Sequence, residues 1–241
     1  MVVVSARARE DPMFAGHVGA AMAIGQSERR VNLGVLVFAA VFLDFVLWLL
    51  VLLGWETVTI PADFDATHQP EFVFPYSHGL IASIGWSVLA GIATYLWYPR
   101  LNHAKLRAAA FVAAAVFSHW LLDALVHAPG LPVAGAASAK AGAGLWQTMP
   151  VALAVEAVIA LAGLYLFLSG AHLSLARKVW LSMLSLLILI STVAGMTVAP
   201  PPPSVVAMAA TSLVTIVVVC VLFFWIGRPS ASAATGGNLN R

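Results

Sequence analysis

The chain has 241 residues, 61% of them hydrophobic and only 9% charged, with a net charge of +2 and a mean hydropathy of +0.95. A soluble globular domain carries about a quarter charged residues, so this composition excludes an ordinary soluble enzyme and a disordered chain. It also argues against nucleic-acid binding, because the basic residues sit in short clusters between apolar spans and form no extended patch.

Arg7, Arg9, Glu10 and Asp11 interrupt the N-terminal stretch, which therefore does not read as a cleavable signal peptide. Met13 to Ile24 is apolar but too short to cross a bilayer, and reads as an interfacial or re-entrant amphipathic helix carrying His17. Six later stretches, about 31–54, 77–98, 106–128, 148–170, 177–199 and 205–227, are long and apolar enough to span the membrane. Pro200 to Pro203 break the chain between the last two. The expected fold is all-α, a polytopic transmembrane bundle of six spanning helices plus the short N-terminal helix. Residues 1–30 form its cytoplasmic N-terminus, 31–227 the six-span membrane domain, and 228–241 a disordered tail of Ser, Ala, Gly and Asn. The lone Cys220 lies inside an apolar run and makes no intramolecular disulfide.

Eleven of the twelve Lys and Arg residues fall on one side of this arrangement, with Lys140 alone opposite. The positive-inside rule then makes both termini cytoplasmic, and makes the loops 55–76 and 129–147 extracytoplasmic. Trp55, Phe72, Phe74, Tyr76 and Trp146 mark the outer boundary, and Trp97, Tyr98, Trp180 and Trp225 the inner one.

Ionisable groups inside spans are expensive and usually functional. Six of them lie on four spans: Asp44, His78, His119, Asp123, His127 and Glu156. His119, Asp123 and His127 recur at i, i+4 and i+8, which puts them on one helical face. Two ligands one helical turn apart can reach a common ion. By the topology all six groups fall in the outer half of the membrane, with His119 some 13 Å below the outer end of its span. The acidic loop holding Glu56, Asp63, Asp65 and Glu71 reads as solvated, stiffened by Pro61, Pro70 and Pro75. His103 and His172 read as surface residues of cytoplasmic loops.

Several of these elements resemble a known family. A His in an apolar N-terminal segment (Ala15-Gly16-His17-Val18-Gly19), Asp44 within Phe42-Leu43-Asp44-Phe45, Tyr76-Ser77-His78-Gly79 and Ser118-His119-x-x-x-Asp123 resemble the inner-membrane metal-dependent hydrolases of bacteria. That pattern is in turn similar to the ligand order of zinc-dependent phospholipases C. The likeness covers about residues 13–127. It implies a metal set of His17, Asp44, His78, His119 and Asp123, and a bacterial inner-membrane location. The chain departs from the family where a Pro-Asp-x-Asp-His type motif and a Thr-His-Ser would stand, which leaves one metal or two open.

A mixed His/Asp set suits Zn²⁺ first, with Mn²⁺ or Fe²⁺ as alternatives. The residues themselves point to Asp44, His78, His119 and Asp123 as ligands, with Glu156 or His127 as general base or ligand-orienting group. The expected activity is hydrolysis of an amphiphilic or lipid ester, phosphoester or amide taken from the bilayer, in a monomer or a homo-oligomer. A proton- or cation-coupled transporter is the main rival, and a non-catalytic sensor or assembly subunit the third reading.

Overall fold

The structure is a computed structural model that describes residues 8–9, 14–98 and 104–228. It is 71% helical, an all-α bundle as the hydropathy pattern predicts. His103, Arg100 and the tail from 229 onward lie outside the described residues.

In chain order the elements are β1 (Ala8–Arg9), α1 (Phe14–Ser27), α2 (Leu33–Ala40), α3 (Phe42–Leu52), β2 (Thr57–Thr59), α4 (Phe64–Thr67), β3 (Glu71–Val73), α5 (Leu80–Trp97), α6 (Lys105–Val126), β4 (Leu131–Pro132), β5 (Lys140–Ala141), α7 (Met149–Gly170), α8 (Leu175–Thr197) and α9 (Val205–Ile226). Side-chain caps start three of the helices. Asn32 accepts from the Gly34 amide, Ser174 from Arg177 and Ser204 from Ala207, each satisfying an amide that the helix itself leaves unpaired. Among the described residues five helices are long and apolar enough to cross a membrane, and a sixth span results if α2 and α3 are counted together. That first span is not the continuous helix the sequence suggested: it bends by 54° at Val41, with neither proline nor glycine at the break.

One end of the bundle carries a small antiparallel sheet, ordered β1-β3-β2, and the β4–β5 hairpin. The other end carries Arg29, Arg30, Arg107, Arg177, Lys178 and Arg228. There Arg107 reaches Glu28 at 3.0 Å and the Ser27 carbonyl at 2.7 Å, and the Arg177 side chain meets the Arg228 carbonyl.

The N-terminal segment departs from expectation. α1 is not an interfacial amphipathic helix, because Ala15, His17, Val18, Ala21 and Met22 are all buried and no polar face remains. It runs inside the bundle from the sheet end to the basic end. The backbone of Arg9, counted among the inner charges by its position, instead lies opposite Glu71 in the strand pair at the sheet end. This pass places Ala8–Arg9 and Arg228 at opposite ends of the described bundle.

α1 can enter the bundle because it and α7 touch backbone to backbone. A Cβ on Gly163 would lie 2.0 Å from the Gly19 carbonyl oxygen, and one on Gly19 would lie 2.5 Å from that of Ile159. Neither obstacle is a side chain that could rotate away. Gly163→Ala therefore separates the two helices and costs about 1–3 kcal/mol, the range of an overpacked core. Thermal unfolding of the purified protein in detergent measures the loss, and Gly195→Ala, with open space around it, is the control expected to leave stability nearly unchanged.

Candidate metal centre

The turn that leads into α5 sets one half of the centre. His78 N–H donates to the Phe74 carbonyl at 3.2 Å, and Gly79 follows with Pro75 O only 2.5 Å from where a Cβ would stand. Any larger residue at 79 would push the turn open. Glu56, just past the end of α3, fastens this turn from the side. Its Oε1 accepts from the Tyr76 and Ser77 amides at 2.8 Å each, and its Oε2 accepts from the Ser77 hydroxyl at 2.7 Å. Burial pushes the Glu56 carboxyl above its ordinary value, and the donors at Ser77 and Tyr76 pull it back.

The Ser77 oxygen also lies 2.8 Å from His78 Nδ1. A hydroxyl has one proton, and here that proton goes to Glu56. Ser77 must then accept from His78, so Nδ1 carries the hydrogen and Nε2 a lone pair.

α6 and the bent span set the other half. His119 Nδ1 lies 2.7 Å from the carbonyl of Ala40, the last residue of α2. A carbonyl only accepts, so His119 too carries a hydrogen on Nδ1, and in the neutral ring Nε2 then holds the lone pair. The 54° bend frees this carbonyl from continuing the helix, and the same bend places Asp44 in the first turn of α3, where a carboxylate is favoured by the helix dipole.

Both bare nitrogens point to one place. His78 Nε2 and His119 Nε2 are 3.1 Å apart. Asp44 Oδ1 is 3.5 Å from the first and 3.6 Å from the second; Asp123 Oδ2 is 3.5 and 3.2 Å away. For a metal bound at 2.0–2.1 Å, the edges of a tetrahedron of ligands are about 3.3–3.4 Å long. Five separations among these four atoms thus bracket the tetrahedral value. All four side chains are buried. Two lone pairs facing at 3.1 Å repel unless a proton or a metal cation sits between them, and two carboxylates at the same point add negative charge that a cation would compensate.

His17 stands beside this group. Its ring stacks on His119 with centroids 3.8 Å apart, and its Nε2 lies 3.3 Å from Asp123 Oδ1. His17, His119 and Asp123 form one triad able to hold an ion, and Asp44, His78 and His119 another. His17 Nδ1 and Asp44 Oδ2 have no hydrogen-bond partner among the described residues, and His17 Nε2 has its 3.3 Å contact with Asp123. Buried polar atoms are rarely left so, and metal ligation would satisfy them. Buried His and Asp groups here could therefore hold a metal ion.

The structure brings His17, Asp44, His78, His119 and Asp123 together, with His127 and Glu156 beside them, though not all in the expected relations. His127 is buried, its Nε2 is 3.6 Å from Asp123 Oδ1, and its ring lies against Trp146 and Phe74. Glu156 Oε1 accepts from the Ala15 and Gly16 amides at 3.0 and 3.2 Å. It acts on the first turn of α1, two residues from His17, and not as a hydrogen-bond partner of an imidazole. His68 makes a 2.9 Å contact through Nδ1 with the Ala199 carbonyl, away from the cluster, and His172 is exposed. Glu56 is 2% exposed, not a solvated loop residue, and Ser77 is fully buried. Nothing in the spacing marked either one, or the Ala40 carbonyl. Comparison with family models, with curated proteins and with solved structures finds no match.

If Glu156 works by holding α1, its charge is dispensable but its oxygen is not. Glu156→Gln keeps an acceptor for both amides and is expected to retain stability and metal content. Glu156→Ala leaves those amides buried and unpaired, and is expected to cost about 1–2 kcal/mol, as for a lost helix cap. Thermal unfolding together with metal analysis of both variants checks this; loss of metal in Glu156→Gln with an intact fold would contradict it.

Proposed function

We propose that this chain is an integral-membrane, metal-dependent hydrolase acting on an amphiphilic ester, phosphoester or amide, with zinc as the first candidate ion. The observation that carries the reading is the convergence of two imidazole lone pairs and two carboxylate oxygens within 3.6 Å, in the tautomers a metal requires. Two neutral imidazoles and two carboxylates balance a divalent charge and suit Zn²⁺, Mn²⁺ or Fe²⁺. Such an ion supplies Lewis acidity and an activated water at neutral pH. Around it, Asp123 turns one oxygen to His78 and His119 and the other to His17 and His127, so His127 is placed to hold a proton beside the centre.

The substrate class rests on the surroundings. A cavity of about 330 Å³ between α2, α3, α5 and α6 is lined by Phe38, Ala39, Phe42, Trp86 and Val116, among others. Ala39 directly precedes Ala40, whose carbonyl holds His119, and Phe42 lies two residues before Asp44. A second cavity, of about 670 Å³, shares Trp86 and Leu89 with it and reaches Trp55 and Tyr76 at the sheet end. Two adjoining apolar cavities, one of which reaches Tyr76 in the turn before His78, favour a molecule with an acyl chain. With the basic end facing the cytoplasm, the sheet end faces outward in a bacterial inner membrane.

The transporter reading is less well supported. Towards the basic end the cluster is followed by Leu36, Val37, Ala108, Val112, Ala115 and Met22, all buried and apolar, where a conduction path needs polar groups or water.

Elemental mass spectrometry on the detergent-purified protein is expected to find at least about one zinc, manganese or iron ion per chain. The ion should be lost in His119→Ala and Asp123→Ala, together with hydrolysis of lipid-like esters or phosphoesters. Unchanged metal content in both variants would overturn the proposal.

A further inference from the structure

The mouth of the centre contains a feature that ligand geometry alone does not require: the hydrogen-bond chain Glu56–Ser77–His78 has a direction. Glu56 Oε1 receives two backbone N–H groups, from Tyr76 and Ser77, so it can only be an acceptor. Oε2 receives the Ser77 proton at 2.7 Å. The partners of the buried Ser77 hydroxyl are Glu56 Oε2 and His78 Nδ1. The proton order along the chain is therefore set at its far end, by a carboxylate that touches no ligand atom.

We propose that Glu56 is a positioning residue that sets the tautomer of His78 through Ser77, and thereby decides whether His78 can bind the metal. The inference rests on the metal-binding reading for its consequence, but not for the hydrogen-bond order itself. Its sharpest result concerns an isosteric change. In Glu56→Gln the two backbone amides still demand oxygen at the inner position, so the amide nitrogen must face Ser77 and donate to it. The Ser77 proton then has one acceptor left within reach, His78 Nδ1. The chain reverses, Nδ1 becomes bare, and the hydrogen moves to Nε2, the atom that faces His119 and the carboxylates. A single atom exchanged two residues away from the ligand set converts a ligand nitrogen into an N–H donor.

Ser77→Ala differs in kind. It removes the relay without reversing it, leaving His78 Nδ1 without its hydroxyl partner and the tautomer unspecified. Ser77→Thr restores the hydroxyl. Groups that orient metal-bound imidazoles typically change metal affinity 10- to 100-fold when altered. The expected order of zinc affinity is thus wild type close to Ser77→Thr, then Ser77→Ala, then Glu56→Gln at about 100-fold weaker.

The test uses the full chain in detergent with two readouts. The first is nitrogen-15 spectroscopy of histidine-labelled, metal-free protein, with the His78 signals identified by their loss in His78→Ala. His78 Nδ1 is expected to carry a proton in the wild type and Ser77→Thr, and to lose it in Glu56→Gln. The second is zinc affinity, by competition with a chelator, for the same set. A protonated Nδ1 in Glu56→Gln, or a bare Nδ1 in the wild type, would overturn the proposal whatever the zinc result. Wild-type protein that binds no zinc yet shows the reversal would instead sink the metal reading and leave the proton order standing. If Glu56→Gln fails to fold, mixed Nδ1 protonation in Ser77→Ala, rescued in Ser77→Thr, supports the relay; a uniformly protonated Nδ1 in Ser77→Ala overturns it.

Discussion

Two imidazole nitrogens facing each other at 3.1 Å inside an apolar bundle are the constraint on which the rest of the structure turns. Each ring has its other nitrogen committed, one to a hydroxyl and one to a backbone carbonyl. Neither can rotate its lone pair away without breaking a buried hydrogen bond, a loss of about 1–3 kcal/mol for the group left unpaired. With Asp44 and Asp123 at the same point, the group is an arrangement of acceptors that could hold a metal ion. A hydrocarbon surround makes this more demanding, because burying uncompensated charge there is far costlier than in water.

Much of the fold serves to hold those groups at that spacing. The bend at Val41 turns one carbonyl out of a helix and starts a new helix whose first turn carries Asp44. Gly19 and Gly163 let α1 and α7 meet closely enough for Glu156 to catch the first amides of α1 and set His17 against His119. On the outer side Phe74 lies 4.9 Å from His78, centroid to centroid, and Trp146 lies 4.1 Å from His127. On the inner side α2 and α6 pack with small and branched residues. Apolar groups thus pack against the centre on both of these sides, and two cavities lie beside α5.

The sequence revealed what periodicity and hydropathy can carry. Apolar runs marked the spans, and the i, i+4, i+8 spacing put His119, Asp123 and His127 on one face of α6. Depth counted from the loops put Asp44, His78 and Glu156 near them. What it could not show was anything decided by backbone contact or by a bend. Residues 33–53 contain no proline, and their one glycine lies far from the break, so nothing local signalled the kink that frees the Ala40 carbonyl. α1 looked interfacial because it is short. Its burial depends on glycines meeting a helix 140 residues later, and once it enters the bundle the N-terminal strand must lie at the opposite end from Arg228. Glu56 looked solvated because it sits among acidic loop residues. The chain then folds back and gives it three donors from Tyr76 and Ser77.

X-ray absorption spectroscopy at the zinc edge of the zinc-loaded protein tests the central claim most directly. The account predicts two nitrogen ligands at about 2.0–2.1 Å with the outer-shell scattering of imidazole, completed by carboxylate oxygen at about 2.0–2.2 Å. A spectrum without imidazole scattering, from an ion coordinated by oxygen alone, would contradict it.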